Sequence, residues 1–199
     1  MAIVVEHEKR KQEILQKSLD VFIDEGYEDV TFQKIADRCG ITRTTLYIYF
    51  RNKNEIFLWS IKQLLTGVEL AIEDILNDSS NTAETTLRKT LDVVIDAIQE
   101  NRKLFHVLQI YLIQLEKSGE SANDRVNHRV IRIRHVLNHI LILGIKNNEF
   151  KDKNVRTMNE QLYSLVESAI FRVAVLGQKN VDVVKESIKL AIDGFLTDK

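Results

Sequence analysis

Residues 31–53, TFQKIADRCGITRTTLYIYFRNK, form the stretch that decides the fold. The segment reads as two short helices joined at Gly40, because Thr31 and Thr42 each stand where an N-cap residue begins a helix. The apolar residues of both helices are spaced to pack on one side: Ile35, Ala36, Ile41, Leu46 and Phe50. Two short helices joined by a tight glycine turn are typical of a helix-turn-helix.

The second short helix has the composition of a helix that reads DNA. Its outward positions carry Arg43, Thr44, Tyr47 and Ile48, and such side chains can approach base edges and phosphates in the major groove. From residue 38 to residue 53 there are four basic residues and no acid, on a chain whose net charge is −1. A basic patch confined to one segment is what a small DNA-reading module on a neutral body requires.

Three side chains near the end of the segment are open to interpretation. Tyr47 and Tyr49 are expected to point outward, because Leu46 and Phe50 already fill the inward face. An exposed Ile48 would contact a thymine methyl group, and the alternative is that it packs inside the fold.

Lys53 stands in the first turn of the next helix, where a positive charge opposes the helix dipole. A phosphate docked at that helix end would make the charge favourable.

The rest of the chain repeats apolar residues at helical spacing. Proline is absent and glycine occurs only seven times, which favours long uninterrupted helices. Gly26 is expected to end the first helix, and capping-box pairs are expected at Asn52–Glu55 and Asn81–Glu84. The pattern predicts an all-α fold of about nine helices, with a helix-turn-helix domain at 1–53 and a larger helical domain at 54–199.

Beyond these patterns, one run of residues is similar to a known signature. The run is Thr31, Ile35-Ala36, Gly40-Ile41-Thr42, Thr45-Leu46-Tyr47, Tyr49-Phe50 and Lys53, and it resembles the DNA-binding signature of the TetR family. The upstream stretch ILQKSLDVFIDEGYEDVT resembles that family's first helix, so the resemblance covers about residues 12–60. It implies base contacts for Arg43 and Thr44, contacts with the sugar-phosphate backbone or adjacent bases for Thr45, Tyr47 and Tyr49, and a phosphate contact for Lys53. Thr31, Thr42 and Ile48 are also expected on the DNA-binding surface.

The last two helices, expected at about 155–177 and 181–197, carry apolar residues in steps of three and four. This spacing suits either a core inside one chain or a bundle with a second copy, and the resemblance implies the bundle. The residues expected at that homodimer interface are Leu162, Val166, Ala169, Val173, Leu176, Val184, Ile188, Ala191 and Phe195.

The resemblance also implies a small-molecule effector bound among helices five to eight. The candidate residues are Phe105, Gln109, Tyr111, Leu112, His135, His139, Tyr163 and Phe171, most of which suit a plain core equally well. His128, Arg132, His135 and His139 share one face of the helix at about 121–146. That face would bind an anionic effector, or would simply be solvated; a metal site at His135 and His139 is disfavoured, because no further ligand stands at matching spacing.

The remaining observations exclude several classes of protein. A single cysteine, Cys39, permits no internal disulfide and is expected to be a small buried residue, with a redox role as the alternative. No catalytic constellation, metal cluster or cofactor motif stands out, so neither an enzyme nor a cofactor is expected. No apolar run is long enough for a membrane span, which fits a cytoplasmic protein.

The function that follows is DNA-binding regulation of transcription. The expected mode is repression, with a homodimer on a palindromic operator in double-stranded DNA that a small effector releases. The alternative is a DNA-binding regulator or activator that uses no small ligand.

Overall fold

The computed structural model describes residues 2–117 and 122–197, with side chains over 6–117 and 132–197. Across this part of the chain there are nine α-helices and no β-strand, which confirms the expected fold class. The helices are α1 (Ala2–Glu25), α2 (Phe32–Cys39), α3 (Arg43–Tyr49), α4 (Lys53–Asn77), α5 (Ala83–Glu100), α6 (Arg102–Lys117), α7 (Ala122–Lys146), α8 (Val155–Ala174) and α9 (Asp182–Asp193). No helix in the described ranges is long and apolar enough to cross a membrane.

The chain divides into two compact units, Met1–Glu69 and Leu70–Lys199. The division falls inside α4, so the helix-turn-helix and most of α4 belong to the first unit. The boundary predicted at residue 53 coincides with the first residue of α4.

The first unit is built around the buried face of α1. This face and its partners on the other helices include Ile14, Leu15, Val21, Phe22, Ile35, Ala36, Leu46, Phe50, Ile56 and Phe57, all at most 4% exposed. The rings of Phe22 and Phe57 lie 4.8 Å apart and join α1 to α4. The buried Ser60 hydroxyl of α4 donates to the Leu15 carbonyl at 2.9 Å, so the polar group in this core is satisfied.

Cys39 closes α2 inside the same core. It is 4% exposed, and its thiol donates to the Ile14 carbonyl at 3.9 Å. Burial raises the pKa of the Cys39 thiol, although the hydrogen bond with Ser18 and nearby cations act in the opposite direction. A raised pKa leaves little reactive thiolate, so the cysteine has the environment of a packing residue.

Glycines end the first two helices as expected. Gly26 has φ 79° and donates its N–H to the Phe22 carbonyl at 2.9 Å. Gly40 has φ 66°; its N–H bonds to Asp37 and the N–H of Ile41 bonds to Ala36, at 3.1 and 3.0 Å. This pair of bonds is a Schellman motif, and the left-handed backbone that it requires favours glycine. The motif makes the tight turn between α2 and α3.

Side-chain caps begin α4 and α5, and one of them differs from the prediction. At α4, Asn52 accepts from the Glu55 N–H at 2.8 Å, while the Glu55 carboxylate accepts from the Arg51 N–H at 2.7 Å. At α5 the cap is Thr82, which accepts from the Thr85 N–H at 3.1 Å. The Asn81 cap was wrong, because the helix begins one residue later than the capping-box pattern indicated.

The second unit packs α5, α7, α8 and α9 around one continuous apolar core. Its members include Leu87, Leu91, Ile95, Leu137, Leu141, Phe150, Leu162, Val166, Ala169, Val184, Ile188 and Ile192. Ion pairs at the edge join α5 to α9: Arg88 with Asp193, and Lys185 with Asp96. Both final helices end a few residues earlier than predicted, at Ala174 and Asp193.

A close approach holds the turn after α7 in this core. Phe150 is 2% exposed and its ring covers Gly144. A Cβ on Gly144 would stand 2.1 and 2.3 Å from two atoms of that ring. The contact therefore needs a residue without a side chain at position 144.

We predict that Gly144→Ala destabilises the protein by about 1–3 kcal/mol, because the added methyl group overpacks a buried ring. Chemical denaturation monitored by circular dichroism measures the change. The matched control is Gly67→Ala in α4, where an added Cβ meets nothing within 4 Å. That change should stabilise by about 0.5–1 kcal/mol, since alanine loses less entropy than glycine in a helix. Equal effects at the two positions would contradict the packing argument.

Candidate nucleic-acid interface

The helix α3 has one buried face and one exposed face. Leu46 is fully buried and Phe50, its C-cap, is 1% exposed. On the opposite side Tyr47 is 50% exposed and Ile48 is 70% exposed. Ile48 therefore does not fill the core of the first unit, which favours the thymine-contact interpretation over packing.

Arg43 and Tyr47 form a pair along the exposed face of α3. The Arg43 guanidinium donates to the Tyr47 hydroxyl at 3.1 Å and lies 5.6 Å from the centre of its ring. The other side of the Tyr47 ring packs on Phe32 of α2, with ring centres 4.6 Å apart. The two predicted DNA contacts are thus held in place before any DNA is present.

Four threonines were predicted to face DNA, and three of them take part in capping. Thr31 accepts from the Lys34 N–H at 3.3 Å and begins α2. Thr42 accepts from the Thr45 N–H at 3.1 Å, and the hydroxyls of Thr42 and Thr45 bond to each other at 2.8 Å. Thr44 is exposed beside Arg43. Capping and DNA contact are compatible, because a hydroxyl that accepts from a backbone N–H keeps its own proton.

Lys53 has a role that the sequence pattern did not predict. Its ammonium donates to the carbonyls of Tyr27, Glu28 and Val30 at 2.9, 2.9 and 3.1 Å. It also lies 4.8 Å from the centre of the Tyr27 ring. An ammonium has three protons, so these carbonyls occupy all of them. Lys53 joins α4 to the turn between α1 and α2, and a phosphate contact would have to displace one of these bonds.

Two further cations of the first unit pair with acids of α1. Arg38 pairs with Asp24 of α1 at 3.2 Å. Lys34 pairs with Glu25 of α1 and donates to the Asp29 carbonyl at 3.1 Å. Asp24 and Glu25 precede residues 38–53, so the charge count for that segment did not include them. The cation aligned with the exposed face of α3 is therefore Arg43.

The residues predicted for a dimer interface lie mainly in the core of their own chain. Eight of the nine are at most 8% exposed: Leu162, Val166, Ala169, Val173, Val184, Ile188, Ala191 and Phe195. Only Leu176 is on the surface, with 55% exposed. The alternative of an internal core thus accounts for these eight positions, because α5 and α7 cover the stripe that the spacing identified.

The structure does not bring the predicted effector residues together. Tyr111 and Tyr163 are buried, and the Arg134 guanidinium lies 4.1 Å from the centre of the Tyr163 ring. Phe105, Gln109 and Leu112 of α6 are half-buried, whereas His135, His139 and Phe171 are exposed. Three of the eight candidates therefore face solvent in this unit.

The histidine face of α7 forms no metal site in the described residues. Arg132, His135 and His139 are exposed, and the His128 side chain lies outside the described ones. No group of three or more His, Cys, Asp or Glu in the described ranges could hold a metal ion.

We predict that Lys53→Ala destabilises the first unit, because its loss removes three hydrogen bonds from a charged donor. The expected fall in the free energy of unfolding is about 2 kcal/mol, in the range for bonds that involve a charged group. Thermal unfolding and a DNA-binding titration at several salt concentrations measure its folding role and its DNA role separately.

The control for Lys53→Ala is Arg43→Ala, which removes an exposed cation from the reading face. It should leave the melting temperature unchanged and weaken DNA binding by about 1–3 kcal/mol. A Lys53→Ala variant with unchanged stability and a salt slope lower by about one would identify Lys53 as a phosphate contact instead.

Known proteins are similar to this chain both in the helix-turn-helix segment and over nearly the whole length. Residues 14–58 match the family model described as bacterial regulatory proteins, tetR family. The fatty acid metabolism regulator protein of Bacillus subtilis (strain 168) is 22% identical over 187 residues, which are 92% of this chain and 94% of that protein.

Two solved structures share the fold over nearly the whole chain. A TetR transcription regulator from Haloarcula marismortui ATCC 43049 has a TM-score of 0.83 at 22% identity, covering 96% of this chain and 100% of that chain. The transcriptional regulator FadR from Bacillus subtilis, solved in complex with stearoyl-CoA, has a TM-score of 0.69 at 24% identity and covers 92% and 98%. With the reading helix exposed and residues 14–58 matched, the first unit is similar to the DNA-binding domain of tetR-family regulatory proteins, and the chain shares its fold with solved regulators of that type.

Proposed function

We propose that the protein is a homodimeric repressor that binds a palindromic operator and is released by a long-chain acyl effector. The observation that carries the DNA-binding part is the exposed face of α3, where Arg43, Tyr47 and Ile48 stand over a fully buried Leu46. Two such helices, one from each copy, would read two half-sites related by twofold symmetry.

The homodimer is supported by apolar residues that remain exposed on α8 and α9. Val183 and Leu190, seven residues apart on α9, are 67% and 71% exposed, and Val175 after α8 is 47% exposed. Leu190 also lines a groove between the two helices, together with Gln161, Ser164, Leu165, Ser187 and Ala191. Apolar side chains that lie together in a surface groove, as Leu190, Leu165 and Ala191 do, mark an interaction site. The proposed partner is a second copy, and the contact residues differ from those predicted by helical spacing.

We predict that Leu190→Asp converts a dimer into a monomer, since a charge buried at an interface without a partner is strongly unfavourable. Light scattering after size exclusion measures the mass, against 23.1 kDa for one chain. The matched control is Ile142→Asp on α7, which changes an apolar residue that is 56% exposed outside the proposed interface. The control should stay dimeric, and equal masses for wild type and Leu190→Asp would contradict the interface.

The effector class is supported by the comparisons, and a polar contact for an effector is supported by buried oxygen atoms in the second unit. The Bacillus subtilis relative is named as a fatty acid metabolism regulator, and the FadR structure holds stearoyl-CoA. In this chain, side-chain oxygens of Thr90, Gln114 and Asn159 are buried without a hydrogen-bond partner among the described residues. A buried acceptor without a donor costs about 1–3 kcal/mol, so a bound molecule that donates to it would be stabilised there.

Gln114 is the acceptor best situated for an effector in the expected region. It lies on α6 three residues after the buried Tyr111, and α6 packs against α7 and α8. Residues three apart are neighbours on a helix, so Gln114 and Tyr111 share one side of α6. Gln114 was not among the predicted residues, because a glutamine at helical spacing carries no sequence signal that separates a buried oxygen from a solvated one.

We predict that stearoyl-CoA raises the melting temperature and releases the protein from DNA, whereas coenzyme A alone does neither. A ligand at a hundred times its dissociation constant stabilises by about 2.7 kcal/mol. For a chain of this length that corresponds to about 2–4 °C per kcal/mol. Differential scanning fluorimetry and a gel shift with DNA from upstream of the gene measure the two effects.

Gln114→Leu is the diagnostic variant for this effector site. Without ligand it should be at least as stable as wild type, because the change removes an unsatisfied oxygen. With stearoyl-CoA its melting temperature should rise less than that of wild type. Glu116→Leu, on the same helix and exposed, should respond like wild type. DNA binding without any response to acyl compounds would instead support a regulator that uses no acyl effector.

A further inference from the structure

The first half of α1 contacts the reading helix through a pair of stacked rings. The imidazole of His7 and the phenol ring of Tyr49 have centres 4.5 Å apart and planes inclined by 24°. His7 is exposed, and Tyr49 is half-buried at the end of α3. Stacked rings at this distance attract each other, so α1 is attached to the C-terminal end of α3 at this point.

This contact lies outside the part of the chain that matches the family model. The match begins at residue 14, whereas α1 begins at Ala2 and carries His7 about two turns before the match. The DNA-binding signature in the sequence likewise began after His7. The stack therefore lies outside the matched segment, on the same unit as the reading helix.

The surroundings of His7 favour an anionic partner. Lys9, Arg10 and Lys11 follow it in sequence. Arg10 pairs with Glu13 at 3.0 Å, and the Lys11 ammonium lies 4.5 Å from the centre of the Trp59 ring, which holds α1 against α4. Lys9 is exposed.

Two acids, Glu6 and Glu8, flank His7 in sequence. Adjacent residues on a helix do not face each other, so these carboxylates leave the exposed edge of the imidazole accessible.

The chemistry of the ring suits a phosphate oxygen. Every protonation state of an imidazole has at least one N–H donor, and hydrogen bonds to phosphate are strengthened by its charge. Tyr47 and Tyr49 are the residues expected to contact the sugar-phosphate backbone. A ring stacked on Tyr49 stands beside any strand that Tyr49 contacts.

We propose that the first half of α1 is a second edge of the DNA-binding surface, in which His7 donates to a backbone phosphate beside α3. This inference rests on the proposed function, because it takes the exposed face of α3 as the surface that meets DNA. A contact with the backbone adds affinity on every sequence and positions the reading helix without reading bases itself.

The test compares His7→Phe and His7→Ala in the full chain. Phenylalanine keeps the stack on Tyr49 and removes the donor, whereas alanine removes both. The probes are a duplex of unrelated sequence and a fragment from upstream of the gene, titrated by fluorescence anisotropy. Both variants should bind each probe about three- to tenfold more weakly than wild type, which is the effect of losing one hydrogen bond of ordinary net strength. Melting temperatures check that both variants fold.

The matched control is His106→Phe, which changes an exposed histidine on α6 in the other unit and should bind like wild type. Wild-type affinity in His7→Phe overturns the inference, and weak binding by His7→Ala alone would then assign the ring only to holding Tyr49. Failure of the wild-type chain to bind either probe would overturn the proposed function and the inference together. Normal wild-type binding with unaffected His7 variants overturns the inference alone.

Discussion

One ammonium group holds the DNA-binding unit together. Lys53, the first residue of α4, donates to three carbonyls of the turn that follows α1. The helices α2 and α3 lie between that turn and Lys53 in the chain, so the bonds close the loop that contains both helices. The three carbonyls lie in the turn outside the helices, and each accepts a hydrogen bond from one ammonium proton. Lysine suits this arrangement because its compact ammonium carries three donors. These bonds close the loop in addition to the apolar packing of α2 on α1 and of α3 on α2.

The reading helix, once closed onto α1, carries side chains that are already oriented. Arg43 bonds to Tyr47, Tyr47 packs on Phe32, and Tyr49 stacks on His7. Each contact restricts rotamers that would otherwise be fixed only when DNA binds. Ordering a long side chain at an interface costs about 0.5–1.5 kcal/mol, so contacts made beforehand reduce that cost. The surface is therefore both exposed and preorganised.

In the second unit, the residues that pack the core differ from the residues proposed to bind a partner or an effector. The helical spacing of apolar residues in the sequence does not distinguish the two sets. The helices α8 and α9 each have an apolar stripe that α5 and α7 cover, and each also exposes apolar residues on another side. Three buried side-chain oxygens lack partners among the described residues, in a core that is otherwise apolar. The stripes stabilise the unit, whereas the exposed residues and the unpaired oxygens are the features on which the dimer and the effector site are proposed.

The sequence by itself determined the helices and the reading face. Helix caps and glycine turns depend only on residues close together in the chain, so the sequence alone identifies them. They are the caps at Thr31, Thr42 and Asn52 and the turns at Gly26 and Gly40. The buried stripe of α3 followed from spacing alone, because Leu46 and Phe50 share one side of a single short helix. The resemblance extended these local signals to a family, which the comparisons then supported.

Only the tertiary structure decided which partner each side chain meets. Lys53 and its carbonyls are more than twenty residues apart, and His7 and Tyr49 are further still, so no local pattern links them. Helical spacing identified apolar stripes on α8 and α9, but it could not tell a stripe that faces the same chain from one that faces a second copy. The physical reason is that periodicity records which side of a helix is apolar, whereas the packing of other helices decides which sides remain uncovered.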